Sequence, residues 1–220
     1  MTRNQLLTPM FVDDSDTGLV IAGLRRYNLF TAVFFLGRQR RLLAEFVRTA
    51  GAEPGHRALD IGCGPGKLVR ALGVAVGPTG AAVGVDPSAV AVGDNQQRDR
   101  AANHRYERGP AQELPFADAE FDVVTCTFVM HHIPAEHRQT AIAEMWRVLR
   151  PGGTVLLADA SPSPRMRRVL TTLLGGGDPF ADADIRRYSD QVRAAGFTDL
   201  AYTQSRYQTG ILTAVKPAPR

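Results

Sequence analysis

The sequence predicts an α/β domain built on a seven-stranded, mostly parallel sheet with one antiparallel strand and helices on both faces. From Arg57 onward, short apolar runs alternate with segments of helical spacing, as in parallel sheets whose strands are joined by helices. The last two apolar runs, Phe197 to Ser205 and Gly210 to Val215, are too close together for a helix between them. One of these two strands must therefore run antiparallel to its partner.

The earlier strands are predicted mainly where apolar residues run together, often next to glycine, proline or an acid, and the run from His104 to Glu107 is the weaker case. They are Arg57 to Ile61, Ala81 to Val85, His104 to Glu107, Phe121 to Thr125 and Thr154 to Ala158. The helices between and after them show apolar residues at helical spacing. They cover Lys67 to Val76, Ser88 to about Ala102, Pro134 to Leu149 and Ala183 to Ala195.

Residues 1–51 are predicted to form an N-terminal helical cap, and residues 52–220 the core domain. The first dozen residues look irregular, and the pattern from about Thr17 to Gly51 favours helix. Within the core, the segment from Ser161 to Asp182 is rich in proline, arginine and glycine. We expect it to be an insertion that bears a helix and acts as a lid.

Composition limits the class of protein. The chain has 220 residues, a net charge of +4 and a pI near 9.4, with its arginines spread along the sequence. This spread favours solvated helix faces over a nucleic-acid surface. The two cysteines form no metal pattern or redox pair, residues 1–16 lack a signal sequence, and the longest apolar stretch is too short to span a bilayer. We expect a cytoplasmic protein without stable membrane insertion and without nucleic acid as partner, which could form a homodimer.

The strongest local signal is the run from Asp60 to Gly66, in which glycines alternate with other residues directly after the first strand. Glycine permits a sharp bend and close approach of a ligand, and the next helix points its positive end at that ligand. The spacing is G-x-G-x-G, whereas dinucleotide-binding loops have G-x-G-x-x-G. Asp86 ends the second strand twenty residues after Gly66, where a carboxylate can hold both hydroxyls of a ribose. Together these features are typical of a Rossmann-like fold that binds a nucleoside carrying an amino acid.

Four segments in this order resemble the class I methyltransferases that use S-adenosyl-L-methionine (SAM). They are the glycine run, the strand ending at Asp86, residues 109–124 and residues 149–157. The similarity is strongest to small-molecule enzymes such as the ubiquinone and menaquinone C-methyltransferases. Residues 26–30, Arg-Tyr-Asn-Leu-Phe, resemble the segment that precedes the core in that branch.

The resemblance implies methyl transfer from SAM to a small aromatic, polyketide-like or quinone-like acceptor by in-line displacement, with S-adenosyl-L-homocysteine as product. It also implies a set of cofactor-binding residues that surround the methionine, ribose and adenine parts of SAM. These are Tyr27, Asp60, Gly62, Cys63, Gly64, Gly66, Asp86, Pro87, Ala111, Gln112, Cys126 and Thr127. Relatives commonly carry an aspartate at Pro110 that accepts a hydrogen bond from the adenine amino group. We therefore expect weaker or shifted adenine binding here, for which Gln112 could substitute.

His131 and His132 follow the fourth strand at the edge of the sheet where ligands bind, and they are the candidate general bases. His132 is the first choice because it lies nearer the exit of its loop. The sequence contains no convincing set of metal ligands, so we expect no metal. Two alternatives stay open: an enzyme that uses the cofactor without methyl transfer, such as a cyclase or isomerase, and a SAM-binding module without catalytic activity.

Overall fold

The computed structural model describes residues 9–35, 37–173 and 182–219. Its first element is a two-stranded antiparallel hairpin, in which β1 (Phe11–Asp14) pairs with β2 (Gly18–Ile21). The Asp14 carboxylate closes the turn by accepting hydrogen bonds from the backbone N–H groups of Asp16 and Thr17. A short acidic side chain that captures nearby amides in this way is a common builder of turns.

This hairpin corrects the sequence prediction for the N-terminal segment. Helix was expected from about Thr17, but helix α1 begins only at Leu24 (Leu24–Phe34) and is followed by α2 (Gln39–Thr49). The prediction of helix is therefore wrong for residues 17–23. The proposed division of the chain at residue 51 stays a prediction.

The seven strands of the main sheet are β3 (Arg57–Ile61), β4 (Ala81–Asp86), β5 (His104–Arg108), β6 (Phe121–Thr127), β7 (Leu149–Ala160), β8 (Thr198–Ser205) and β9 (Thr209–Val215). Their order across the sheet is β5-β4-β3-β6-β7-β9-β8. Strand β9 pairs antiparallel with β7 on one side and with β8 on the other, and the pairs from β5 to β7 are parallel. This confirms a mostly parallel sheet with one antiparallel strand.

The helices that join the strands are α3 (Lys67–Val76), α4 (Ala89–Arg98), α5 (Arg138–Val148), α6 (Pro164–Leu173) and α7 (Ser189–Ala194). Short 3-10 turns precede α5 and α7, at Ala135–His137 and Ile185–Tyr188. The predicted helix from Ala183 to Ala195 is therefore a 3-10 turn followed by an α-helix. Helix α6 lies in the predicted lid insertion, of which residues 174–181 fall outside the described residues.

Two apolar clusters cover the two faces of the sheet. One contains Phe121, Ile142 and Met145 and unites strand residues with α5 and α7. The other contains Phe46, Val69 and Leu72 and unites strand residues with α2 and α3. Burial of both faces explains why the parallel strands read as continuous apolar runs. Because strands β3 to β7 run parallel, their carboxyl ends meet at one edge of the sheet.

Candidate active site

The glycine bend joins β3 to α3. Gly62, Gly64 and Gly66 have φ angles of 68°, 47° and 69°, a left-handed conformation that favours glycine. Space is also restricted, since a Cβ atom on Gly62 would lie 2.3 Å from the side chain of Val129. The bend is held by Asn95, whose Nδ2 donates to the Gly64 carbonyl at 2.8 Å. The sequence therefore needs these glycines both for the turn and for close packing.

Gly66→Ala is expected to lower the free energy of unfolding by about 2–4 kcal/mol, combining a left-handed backbone with overpacking. The added Cβ would lie 2.7 Å from Asn95 Oδ1 and 2.8 Å from the Tyr106 hydroxyl. Gly93→Ala in α4 is the matched control, because its Cβ would meet no atom within 4 Å. Replacing this helical glycine with alanine should stabilise the protein by roughly 0.5–1 kcal/mol. Urea unfolding of both variants measures the contrast, and equal effects would contradict this account.

Asp86 reaches from the end of β4 into the glycine bend. Its Oδ2 accepts from the Gly64 N–H at 2.8 Å, and its Oδ1 accepts from the Ser88 N–H at 2.8 Å. Burial raises the pKa of this carboxyl, while the two backbone hydrogen bonds act in the opposite direction. Each carboxylate oxygen can accept a further hydrogen bond. The bend and the carboxylate are thus in direct contact, as a nucleoside site requires.

Asp60 lies beneath the bend, at the end of β3, with 2% of its surface exposed. Its Oδ1 accepts from the Thr125 hydroxyl of β6 at 2.9 Å. Burial raises the pKa of this carboxyl to about 7, and the bond from Thr125 only partly opposes that rise. A buried acid poised near neutral pH beside a second buried acid, Asp86, is typical of a functional site.

Asp60→Asn should change how stability depends on pH. The folded protein holds the Asp60 proton up to a pKa of about 7, whereas the ordinary value is 3.8. Between these values the folded state binds more protons, so wild-type stability falls as pH rises. The free energy of unfolding of the variant, relative to that of wild type, should therefore rise by up to roughly 1.4 kcal/mol for each pH unit in that window. Denaturant unfolding of both proteins from pH 4 to pH 8 measures this change. A difference in unfolding free energy that stays constant with pH would refute the raised pKa. Asp190→Asn is the control, because its side chain is 99% exposed.

A pocket opens above the bend, along the tips of the strands. One side of it is formed by Gly62 at the start of the glycine bend, by Asp86 and Pro87 at the end of β4, and by residues 109–112 after β5. Residues 127–129 and the loop that follows them form a second side. Tyr27 of α1 also lines the pocket, and burial raises its pKa to about 12, with Asp86, Asp60 and Asp159 adding to that rise.

The N-terminal hairpin covers this pocket. The Ser88 hydroxyl donates to the Ile21 carbonyl at 2.6 Å, and Gln112 Nε2 donates to the Asp16 carbonyl at 2.6 Å. Leu19 N–H donates to the His132 carbonyl at 3.4 Å. The hairpin is therefore tied to the loops after β4, β5 and β6. Its residues escaped sequence analysis, although the polar run between two short apolar runs is a recognisable turn signal.

The two histidines differ sharply in their surroundings. His131 Nδ1 lies 2.5 Å from Asp159 Oδ2, and the Asp159 carboxylate at the end of β7 is 1% exposed. The His131 side chain itself is 26% exposed. His132 lines the pocket, its Nδ1 is buried without a partner among the described residues, and burial lowers its pKa to about 3. The centroids of the His131 and His132 rings lie 3.9 Å apart.

Most of the sequence-predicted site residues line the pocket: Tyr27, Gly62, Asp86, Pro87, Ala111, Gln112, Thr127 and His132. Asp60, Cys63, Gly64, Gly66, Cys126 and His131 lie outside its lining. The side chains of Cys63 and Cys126 are buried in the two apolar clusters, and burial raises the pKa of both thiols. Only the backbone of these two residues is therefore placed to serve the site.

Within the described part of the chain, no group of three or more histidine, cysteine, aspartate or glutamate residues could hold a metal ion. Likewise, none of the helices in residues 9–35, 37–173 and 182–219 has the length and apolar character needed to cross a membrane.

Comparison with known proteins shows the family of this chain. The profile of the family described as "Methyltransferase domain" matches residues 58–153. The ubiquinone/menaquinone biosynthesis C-methyltransferase UbiE of Ectopseudomonas mendocina is 34% identical over 175 residues, which cover 74% of this chain and 68% of that enzyme. The chain belongs to the class I SAM-dependent methyltransferases. SAM is accordingly its cofactor.

Solved structures agree on the fold of this methyltransferase. A SAM-dependent methyltransferase from Aquifex aeolicus superimposes with a TM-score of 0.69 at 16% identity, covering 88% of this chain and 96% of that one. The [4+2]-cyclase SpnF superimposes with a TM-score of 0.62 at 22% identity, covering 81% of both chains. Because the same fold carries both activities, fold similarity alone does not decide the reaction.

The chemical groups that line the methyltransferase pocket are suited to binding SAM. A Cβ on Gly62 would press against Val129 in the pocket wall, and Asp86 keeps acceptor capacity for ribose hydroxyls. The space enclosed beneath the hairpin is about 60 Å³. Ligand pockets usually measure about 300–1,000 Å³. Entry of the cofactor therefore requires the hairpin, or the side chains beneath it, to shift outward.

Proposed function

We propose that the protein methylates a small aromatic acceptor that carries an ionisable ring hydroxyl, with His131 as the general base. The observation that carries this proposal is the His131–Asp159 pair, a partly exposed imidazole hydrogen-bonded to a buried carboxylate at the edge of the cofactor pocket. Such a pair has a use when the acceptor must lose a proton.

The surroundings favour His131 over His132 as the base, the reverse of the order proposed from sequence. The Asp159 carboxylate accepts the Nδ1 proton of His131, which leaves the lone pair on Nε2 free to take a proton. His132 has no such partner among the described residues, and with a pKa of about 3 it is a weak base. Its neutral ring instead packs 5.3 Å from Phe11 and forms part of the pocket wall.

The acceptor class rests on the chemistry of this pair and on the relatives. The similar enzyme of Ectopseudomonas mendocina is named as a ubiquinone/menaquinone biosynthesis C-methyltransferase. Loss of a ring hydroxyl proton raises the electron density on the oxygen and on the neighbouring ring carbons, so one base serves attack from either atom. A quinol or another hydroxylated ring therefore suits His131 better than an amine, which is nucleophilic without a base at high pH.

SAM when bound supplies a methyl group already activated by its sulfonium. The protein contributes position and exclusion of water, which can lower a barrier by roughly 7–11 kcal/mol. The glycine bend and Asp86 hold the nucleoside end, and the N-terminal hairpin covers the pocket against solvent. His131 Nε2 receives the acceptor proton, and Asp159 stabilises the resulting imidazolium.

The proposal is tested by offering SAM with a labelled methyl group to pairs of acceptors. Each pair is a hydroxylated ring, such as 1,4-naphthohydroquinone or a substituted phenol, and the ether in which every ring hydroxyl is methylated. We expect label in the hydroxylated members and equimolar S-adenosyl-L-homocysteine, with NMR of the product assigning carbon or oxygen. Equal labelling of the ethers, or labelling of amines alone, would refute the proposed acceptor class.

A further inference from the structure

The positive charge of the chain is concentrated in three segments. Residues 23–51, 161–173 and 201–210 hold ten of the chain's 26 lysines and arginines but only one of its 22 acids, Glu45. Glu45 is engaged, since its Oε2 accepts from the Ser205 hydroxyl at 2.7 Å. The rest of the chain consequently carries an excess of acids, so the net charge of +4 conceals a strong asymmetry.

The first of these segments, which forms α1 and α2, meets the start of α3. Lys67 Nζ donates to Thr31 Oγ1 of α1 at 3.3 Å and to Gln39 Oε1 of α2 at 3.0 Å. Lys67 directly follows the glycine bend, which itself follows the carboxyl end of β3. Helix α1 and the first turn of α2 therefore lie at the edge of the sheet that holds the cofactor pocket.

The other two segments lie at the same edge. Because β9 is antiparallel to β7 and Thr209 is opposite Ala160, the turn between β8 and β9 lies at the carboxyl end of β7. The backbone N–H of Ser161, which precedes α6, donates to the Gln208 carbonyl in that turn at 2.8 Å. We use the term basic rim for the exposed arginines of α1, the start of α2, α6 and this turn: Arg25, Arg26, Arg38, Arg40, Arg41, Arg165, Arg167, Arg168 and Arg206.

The part of the basic rim on α2 differs in its pairing from arginines elsewhere on the surface. Arg98 and Arg193 lie 2.8 and 3.1 Å from an aspartate. Within residues 9–35, 37–173 and 182–219, by contrast, no acid forms an ion pair with Arg38, Arg40 or Arg41. Guanidinium groups without acidic partners, spread over three helices and a turn, are suited to an extended anionic surface more than to a single small anion.

Leu29 adds an apolar contact to the basic rim. Its side chain is 68% exposed on α1, and it lies three and four residues after Arg26 and Arg25, on the same side of the helix. Peripheral binding to a bilayer combines basic side chains at anionic headgroups with apolar side chains that enter the boundary of the acyl chains. Nucleic acid would use the charge of the rim but has no comparable use for an exposed aliphatic side chain.

We propose that the basic rim, together with Leu29, binds the surface of an anionic phospholipid bilayer reversibly, without spanning it. The rim shares one edge of the sheet with the cofactor pocket and with the His131–Asp159 pair, so the bound protein turns its active site toward the lipid. This orientation suits an acceptor that is dissolved in the bilayer. The binding itself does not depend on the identity of the acceptor, so it is measured without turnover.

The test is co-flotation with vesicles of phosphatidylcholine alone or mixed with an equal amount of phosphatidylglycerol. Wild type should bind the mixed vesicles about tenfold or more tightly than the neutral ones, and high salt should remove this preference by screening. The triple variant Arg38→Gln, Arg40→Gln, Arg41→Gln should bind the mixed vesicles about 10-fold to 100-fold more weakly, since each arginine near the membrane contributes about fivefold. Leu29→Ser should weaken binding about threefold to tenfold.

The matched control is the triple variant Arg98→Gln, Arg105→Gln, Arg193→Gln, which removes the same charge from exposed sites on α4, β5 and α7 and should keep wild-type binding. Calorimetry with S-adenosyl-L-homocysteine verifies that each variant is folded. Equal weakening in both triple variants, or no preference of wild type for phosphatidylglycerol, would overturn the proposal. Unchanged binding of Leu29→Ser would overturn the role of Leu29. Tight binding of an RNA oligonucleotide without binding to vesicles would instead make nucleic acid the partner of the rim.

Discussion

His131→Ala is expected to lower kcat by about 10²–10⁴-fold with the best hydroxylated acceptor, the range typical of losing a general base. Affinity for S-adenosyl-L-homocysteine should stay near the wild-type value, because His131 lies outside the lining of the cofactor pocket. The pH dependence of kcat should also differ between wild type and the variant, because the variant has no group at this position to take the acceptor proton. Steady-state kinetics across pH, combined with calorimetry, measure both effects.

Two further variants separate catalysis from structure. Asp159 is a positioning residue that acts through His131. Asp159→Asn removes the charge that stabilises the imidazolium, so we expect a lower kcat and a changed pH profile of kcat. His56→Ala is the control, since His56 precedes β3 and therefore lies at the opposite edge of the sheet. Imidazole added to His131→Ala should restore part of the activity, because the site is partly exposed. Full activity of His131→Ala, with an unchanged pH profile, would remove this residue from the mechanism.

The core of the fold could be predicted from sequence because its signals are local. Strands β3, β4 and β7 contain short apolar runs that end at an acid, and α3 was predicted with its observed bounds, Lys67–Val76. The antiparallel strand followed from the length of one connection. The hairpin was missed because its strands have four residues each, and its contacts to His132 and Gln112 span about a hundred residues of chain.

The site was only partly predictable, for two physical reasons. Side chains alternate along a strand, so the buried side chain of Cys126 joins the core instead of the pocket although it lies near the tip of β6. Pairing of His131 with Asp159 depends on β6 and β7 being parallel neighbours in a register that places Thr127 opposite Ala158. Sequence placed His131 at the carboxyl edge of the sheet but did not show that Asp159 lies beside it.

Asp86→Asn is expected to weaken binding of S-adenosyl-L-homocysteine by about 100-fold. Two charge-assisted hydrogen bonds to ribose hydroxyls would lose their charge, and each is worth roughly 1.5–3 kcal/mol. The substitution also places an NH₂ group against one of two backbone N–H donors, at Gly64 or Ser88. Such a buried, unsatisfied donor costs about 1–3 kcal/mol of folding stability. Calorimetry gives the first effect and denaturant unfolding the second.

The control for Asp86→Asn is Asp190→Asn, which removes the same charge from an exposed site on α7 and should leave both quantities unchanged. The 2′-deoxyribose analogue of the ligand separates the two effects in Asp86→Asn. Wild type should lose affinity for that analogue, whereas the variant should discriminate little between the two sugars. Because Asp86 joins the glycine bend to the end of β4, the assignment of the whole cleft depends on this result. Binding of undiminished strength in Asp86→Asn would mean that the nucleoside lies elsewhere along the sheet edge.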